Sequence, residues 1–537
     1  MSKTKIILLL SLLLYFAVFN FLRNNYLYTT ILDDSFIFFR YAENVFNGFG
    51  FVWNIGEQPV EGYSSFFYLV LLIIAKSLTL NLELFAIVLG TVTSALTLFY
   101  SYLIYELLFS NNNKTHTANI VTVIILTLSP ACSYWSGAGM ETSLYSMFIV
   151  LTFYYFLKLP ENSKSSLLKG ILFGILCVIR FEAVLFFVIA TYYQLKAENS
   201  YFKIKLTKSS FLLILGFTII FGTYFIWRWS YFGYFLPNTF YAKTGGGLQQ
   251  IAGGFLYVIK ALRLFYGFAW IPILLVSVFF RKEMIKKQSA FLLFVGIASL
   301  LTTVLVGGDH FHLGRFVLAI LPFLFVFFPP ALANLLSTNF KTIKLNPSIV
   351  VGILLISIFA LLLAKPVNQE TFRGFQNLLS DQKKIIEVYD KSTEREIVEW
   401  QNGFVIMGKT LNKIADKNDY IAAVPIGAIG YYSKIGVIDM VGIVDPIIAH
   451  EKLAEDHIKK WTAGHTKGDG NYILSRKPKF IQLTDYLTRT PLEKPHKRSL
   501  QFKSVEEIWN AEDFHREYEF YPVEVIDGWY YNLFKRK

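Results

Sequence analysis

Apolar runs separated by short lysine-bearing connections dominate the first two thirds of the chain. Runs approaching the roughly 20 residues that a bilayer crossing needs lie at 6–21, 85–109, 118–136, 142–157, 211–229, 265–280, 290–306, 316–336 and 348–364. The run at 6–21 follows a positive start, as a signal peptide would, but no small-residue cleavage site comes after it. It is therefore expected to stay as a first transmembrane helix with its amino end inside. Lysine-rich connections around Lys114 and at 158–169, 196–208, 281–287 and 341–344 mark the cytoplasmic side. The intervening spans then run out and back, which puts 24–65, 135–142, 231–254, 307–315 and everything after 365 outside.

Two stretches strain this scheme. The run at 65–77 is short and would break the inside/outside parity if it crossed fully, so either it is a re-entrant or interfacial helix or the Lys114 loop is on the other side. Residues 170–195 would have to go out and return within about 39 Å of helix, at about 1.5 Å per residue. A broken helical hairpin fits better, with Arg180 and Glu182 at its bend, because ions at membrane depth need protein or a water-filled cavity around them. Beyond about residue 365 the pattern changes: charge rises, and short apolar strands at 420–424, 436–440 and 479–483 alternate with helical periods. The expected organisation is a transmembrane domain over 1–364, with a first outer loop at 24–64, and a small soluble α/β domain over 365–537.

Composition agrees with that pattern. Hydrophobic residues make up 54% of the chain, aromatic residues 17% and charged residues only 17%, which excludes an ordinary soluble enzyme. The net charge of +13 sits in the inter-span loops and not on a basic face with interleaved aromatics, so no nucleic-acid partner is expected. Cys132 and Cys177 both lie in apolar stretches and suggest neither a disulfide scaffold nor a metal site.

Candidate chemistry is concentrated in the outer loops. The first loop carries Asp33-Asp34, then Phe36, Phe39 and Arg40 at one-turn spacing on a predicted helix, and further on Trp53, Glu61 and Tyr63. Adjacent carboxylates directly after a membrane helix are costly unless used. They either remove a proton from a substrate hydroxyl or cap the helix that follows them. In the tail, Gly427-Ala428-Ile429-Gly430 after an apolar strand lacks the spacing of a dinucleotide loop and reads as a turn into a helix packed on the sheet. Capping is likewise the default for Asp439 and Asp445.

The order of Asp33-Asp34 and Phe39-Arg40-Tyr41-Ala42, then Gly48-Phe49-Gly50, Val52-Trp53-Asn54 and Val60-Glu61-Gly62-Tyr63, resembles the first loop of GT-C glycosyltransferases related to the mycobacterial terminal β-(1→2) arabinofuranosyltransferase. Gly139-Met140-Glu141-Thr142, Arg180 with Glu182, Pro237-Asn238-Thr239-Phe240-Tyr241-Ala242-Lys243, Gly307-Gly308-Asp309-His310-Phe311 and Arg315-Phe316 agree in order, as do Gly427 to Ser433 in the tail. Phe181 stands where a proline is usual between Arg180 and Glu182, and His312 where a more basic stretch is common. The resemblance implies a polytopic α-helical membrane protein of GT-C type with about 11–12 spans and a C-terminal soluble α/β domain on the outer face. It implies a polyprenyl-phosphate-linked pentose or hexose as donor, arabinofuranose-like pentose favoured, and places the catalytic base at Asp33 or Asp34. The expected location is a bacterial cytoplasmic membrane, with a cell-surface glycan, lipid or protein as acceptor.

In an inverting transfer the carboxylate takes the acceptor proton while the lipid phosphate leaves with charge that cations must meet. Arg180, Lys243 and Arg315 are the candidates, arginine by its fork and lysine as a point charge. Arg315 reads equally as an interfacial anchor, and Lys243 as a solvated lysine beside a flexible Gly245-Gly246-Gly247 lid. Arg40, Glu61, Tyr63, Glu141, Asn238, Asp309 and His310 are expected to contact sugar or acceptor, with capping the alternative for Glu141 and the interfacial belt for the aromatics. Asp309, His310 and His312 make a weak metal pattern; no metal and no cofactor are expected. A transporter or flippase of lipid-linked sugar would show repeated halves and mid-span polar residues. A receptor-like protein would leave the aspartate pair without work.

Overall fold

The computed structural model describes residues 31–109, 113–127, 130–195, 207–266, 287–337 apart from 312, 387–390, 395–398 and 400–537 apart from 454, 460 and 527. The expected spans at 6–21 and 348–364, most of that at 265–280, His312 and the linear boundary at 364/365 lie outside these residues. The described residues form two compact units. One holds 86–226 and 254–337, and the other gathers 31–85, 227–253 and 387–537.

Three described helices are long and apolar enough to cross a membrane: Leu82–Phe109, Lys208–Phe232 and Lys287–Leu305. They fall on the runs predicted at 85–109, 211–229 and 290–306. Thr142–Lys158 matches the run at 142–157. The run at 118–136 carries helix on its described residues, as Asn113–Thr127 and Pro130–Gly137. The run at 316–336 is not a single helix but is divided into Arg315–Leu318, Leu321–Leu324 and Phe328–Ser337. Proline explains this departure, because it lacks the amide that would continue a ladder and suits a first turn: Pro322 stands in the first turn of one helix, and Pro329 and Pro330 follow Phe328.

The predicted broken hairpin is present as Ser163–Ile179, a 3-10 turn Phe181–Ala183 and Val184–Leu195. Arg180 is the break, with extended backbone at φ −149°, although no proline stands there. Asn162 caps the first of these helices through a bond from the Ser165 amide. That helix meets Lys208–Phe217 at backbone distance. A Cβ on Gly170 would collide with the Leu213 carbonyl oxygen and one on Gly216 with that of Leu167, a small-residue contact typical of helices packed where lipid offers no hydrophobic drive. The short run at 65–77 is a separate helix, Phe66–Ser77.

In the second unit a hairpin pairs β1 (Glu387–Asp390) with β2 (Arg395–Val398). A five-stranded mixed sheet contains β3 (Tyr420–Ala423), β4 (Gly436–Asp439), β5 (Phe480–Ile481), β6 (Tyr518–Ile526) and β7 (Trp529–Arg536), in the order β4-β3-β5-β7-β6. β3 is parallel to β4 and β5, while β7 is antiparallel to β5 and β6. Ala422, Ile438, Met440, Ile481, Phe514 and Phe534 form its buried core. The predicted strands at 420–424, 436–440 and 479–483 are β3, β4 and β5; the hairpin β6–β7 was not expected. Its sequence signal is the Asp527-Gly528 pair between two aromatic, β-rich runs.

Candidate active site

The first loop opens with the helix Asp33–Phe46, which neither aspartate caps, since the cap position is Leu32. Asp33 instead serves another helix. Its Oδ2 accepts from the Gly427 amide at 2.9 Å and its Oδ1 from the Ala428 amide at 2.7 Å, at the start of Gly427–Ser433. Its own amide donates to Gln401 Oε1 at 2.6 Å. Burial pushes the Asp33 carboxyl up to about 6, against the pull of the two amides. Asp34 is half-buried, and its side chain makes no hydrogen bond or ion pair with any described residue.

Arg40, two turns along, is fully engaged. Nε donates to the Trp53 carbonyl at 2.9 Å, Nη1 to the Gly430 carbonyl at 2.7 Å, and Nη2 to Asn54 Oδ1 at 3.0 Å and the Ile435 carbonyl at 2.9 Å. Burial lowers it to about 10, so it keeps its charge at neutral pH. Asn54 completes the joint by taking the Val437 amide at 2.9 Å and donating to the Val437 carbonyl at 3.0 Å, with Trp53 Nε1 donating to the same carbonyl at 3.1 Å. β4 is an edge strand, and these side chains satisfy the backbone groups that an edge leaves open.

The other residues proposed for sugar contact in this unit are also held by protein. Glu61 is buried in an ion pair with Arg228, whose Nε lies 2.9 Å from Oε2. Arg228 was missed by the sequence reading, although an arginine inside the apolar run 223–229 is the kind of signal that calls for a buried partner. Tyr63 packs edge-to-face on Tyr41 at 5.0 Å. Asn238 Nδ2 donates to the Gly442 and Ile443 carbonyls, both at 2.9 Å. Lys243 ends the helix Asn238–Lys243 and lies half-buried beside Gly464. The glycine triplet after it is conformationally required: Gly245 and Gly247 have φ of +111° and +55°, and a Cβ on Gly246 would collide with the Trp461 indole. Asp439 and Asp445 cap, as expected. Asp439 accepts the Val441 and Val444 amides at 2.9 Å each, and Asp445 the Ile447 amide at 2.9 Å. Burial pushes Asp439 up to about 7.

In the first unit three motifs distant in sequence meet. Arg180 Nη1 lies 2.6 Å from Glu141 Oε1 and its Nε 2.5 Å from Glu182 Oε1. Arg315 Nε lies 2.5 Å from Asp309 Oδ2 and its Nη1 3.5 Å from Met140 Sδ. Both guanidinium groups face Phe316, at 4.9 and 5.1 Å from its ring centre. The second Glu141 oxygen is buried without a hydrogen bond among the described residues. Glu141 therefore contributes an ion pair, and its side chain makes no cap. His310 leans on Asp309, with Nδ1 3.4 Å from Oδ1. The loop that aims Asp309 at Arg315 is unusual backbone: Gly307, Gly308, Leu313 and Gly314 all have positive φ, and Leu313 at +63° is a strained position for a branched residue. Its carbonyl is held by Trp135 Nε1 at 3.1 Å. No group of three or more His, Cys, Asp or Glu with metal-binding geometry occurs among the described residues.

The sequence-predicted residues thus fall into one group per unit: Asp33, Asp34, Arg40, Glu61, Tyr63, Asn238 and Lys243 in one, Glu141, Arg180, Asp309, His310 and Arg315 in the other. A family described as "Domain of unknown function (DUF8728)" matches residues 391–527. No curated protein matches the chain. Among solved structures, ArnT from Cupriavidus metallidurans bound to undecaprenyl phosphate is similar at 12% identity, with 82% of this chain and 86% of that one covered and a TM-score of 0.50. The apo state of the same protein gives 12% identity, 80% and 85% coverage and a TM-score of 0.51. The Archaeoglobus fulgidus oligosaccharyltransferase tethered with an acceptor peptide gives 13%, 80% and 64%, with a TM-score of 0.46. The likeness to ArnT defines the fold: this chain has the membrane helical GT-C fold.

Proposed function

We propose that the chain transfers a sugar, with inversion, from a polyprenyl-phosphate donor to a cell-envelope glycan, lipid or protein acceptor on the outer face of a bacterial cytoplasmic membrane. An arabinofuranose-like pentose is the favoured donor sugar on the first-loop resemblance. The GT-C fold shared with a protein solved with undecaprenyl phosphate supports a lipid-phosphate donor. The observation that carries the chemistry is the division of labour in the aspartate pair. Asp33 is spent on the Gly427 and Ala428 amides, whereas its neighbour Asp34 has no protein partner among the described residues. Asp34 is accordingly the base that takes the acceptor proton.

For the leaving phosphate the candidate cations are Lys243, half-buried in the same unit as Asp34, and Arg180 and Arg315, which face carboxylates. Those two arginines would reach a phosphate only by exchanging partners. The test is transfer by purified protein from synthetic decaprenyl-phosphoryl arabinofuranose, with undecaprenyl-phosphate-linked sugars alongside, to a panel of glycans. Asp34→Asn is expected to lower kcat by about 10²–10⁴-fold, the usual worth of a general base. Transfer indifferent to that change removes Asp34 as the base, and failure of every donor in the panel removes the transferase reading.

A further inference from the structure

The C-terminal segment makes contacts with the first loop that are more specific than packing requires. Three hydrogen bonds converge on Asp33 from residues 368 to 395 positions away in sequence: Gln401 Oε1 takes its amide, and the Gly427 and Ala428 amides bind its carboxylate. The approach is so close that a Cβ on Gly427 would collide with the Asp33 carbonyl oxygen. Further along the same helix, Arg40 bonds the Gly430 and Ile435 carbonyls, and Phe36 and Phe39 pack on Tyr431 at 5.6 and 5.8 Å.

We propose that the C-terminal segment is a positioning element of the transfer reaction, in which Gln401 and the Gly427 and Ala428 amides set where the Asp34 carboxylate stands. The inference rests on the reading of Asp34 as base. Asp34 follows Asp33 directly, so fixing the amide and carboxylate of Asp33 fixes the backbone that carries Asp34. A base displaced by about 1 Å from its acceptor hydroxyl loses on the order of 10²-fold in rate. The chemistry of the contacts suits that task. Gln401 offers a neutral acceptor; a glutamate there would also take the Asp33 amide, but would add a third negative charge beside the pair and hold protons on it to higher pH. The backbone amides bind Asp33 while leaving its neighbour unbonded. The segment so described lies within the matched domain of unknown function, and holding the catalytic loop is the role we assign to it.

The full-length protein in nanodiscs tests this with Gln401→Ala, Gln401→Glu and Asp34→Asn beside the unaltered chain. Gln401→Ala is expected to lower kcat about ten- to a hundredfold at unchanged donor KM. Hydrogen exchange of peptides covering 31–46 should become faster in the same variant. Gln401→Glu, which keeps the acceptor, should restore slow exchange and most of kcat while moving the acid limb of the pH profile upward; a purely structural role would leave that limb in place. Wild-type kcat, pH profile and exchange in Gln401→Ala would overturn the proposal. Full transfer by Asp34→Asn would instead overturn the base assignment, and altered exchange in Gln401→Ala would then report a clamp without a catalytic role.

Discussion

At the scale of single residues, the adjacent side chains of Asp33 and Asp34 have different surroundings. Asp33→Asn keeps one acceptor oxygen but turns an amide group toward a backbone donor, and an unsatisfied buried donor costs about 1–3 kcal/mol. Thermal unfolding is therefore expected to fall for Asp33→Asn and to stay unchanged for Asp34→Asn, while transfer is lost in the second. A kinetic limb near pH 6 that survives Asp34→Asn would identify Asp33 as the titrating base, since burial sets its carboxyl at about that value. Arg40 gives the largest residue-scale prediction for stability. Its truncation takes the guanidinium donors away from the Gly430 and Ile435 carbonyls inside the unit, while Asn54 Oδ1 keeps the Val437 amide and the Trp53 carbonyl keeps Asn44 Nδ2. Arg40→Ala is expected to cost at least about 3 kcal/mol, measured by chemical unfolding of the detergent-solubilised protein. Arg40 was legible in the sequence as important, but its role was not. A sequence shows that a charged residue is placed near lipid, whereas the four acceptors come from segments 13 to 395 residues away.

At the scale of elements, the hydrophobic period located the helices, and proline divides one of the predicted runs. The spans at 85–109, 211–229 and 290–306 have no internal proline and form continuous helices, but 316–336 contains Pro322, Pro329 and Pro330 and breaks into three. The helix pair Ser163–Ile179 and Lys208–Phe217 depends on glycine at its closest approach. Gly170→Ala is expected to lower stability by about 1–3 kcal/mol through overpacking against the Leu213 carbonyl, read as a shift in detergent thermal denaturation. The broken hairpin was predicted from length alone, since two crossings do not fit in 170–195. What length left open was the partner of Arg180, and Glu141 supplies it from another helix. The β6–β7 hairpin went unpredicted although its Asp-Gly turn was in view, because its strands mix lysine, glutamate and aromatics without clean alternation.

At the scale of the molecule, the second unit carries a predictable pH dependence. Asp439 and Asp33 have carboxyls raised to about 7 and about 6, both by burial. The folded chain then holds protons that the unfolded chain has released between about pH 4 and those values, where ordinary aspartates titrate. Stability of this unit is expected to be highest at the acid end of that window, to fall as pH rises to about 7, and to level off above it. Each pKa unit is worth about 1.4 kcal/mol. Thermal unfolding from pH 4 to 8 checks the sign, and Asp439→Asn, which removes one of the titrating groups, should flatten the slope.

The sequence by itself determined the membrane class, the positions of the continuous helices and the α/β character of the tail, because hydrophobic period, proline placement and turn composition act over a few residues. Only the tertiary structure decided that 31–85, 227–253 and the C-terminal segment form one unit. It also decided that Glu61 answers Arg228 and that Asp33 is held by Gln401, Gly427 and Ala428. Those are pairings of buried charge and backbone donors across hundreds of residues. They are selected by the cost of leaving a polar group unpaired in a dry interior, a cost that no local pattern records.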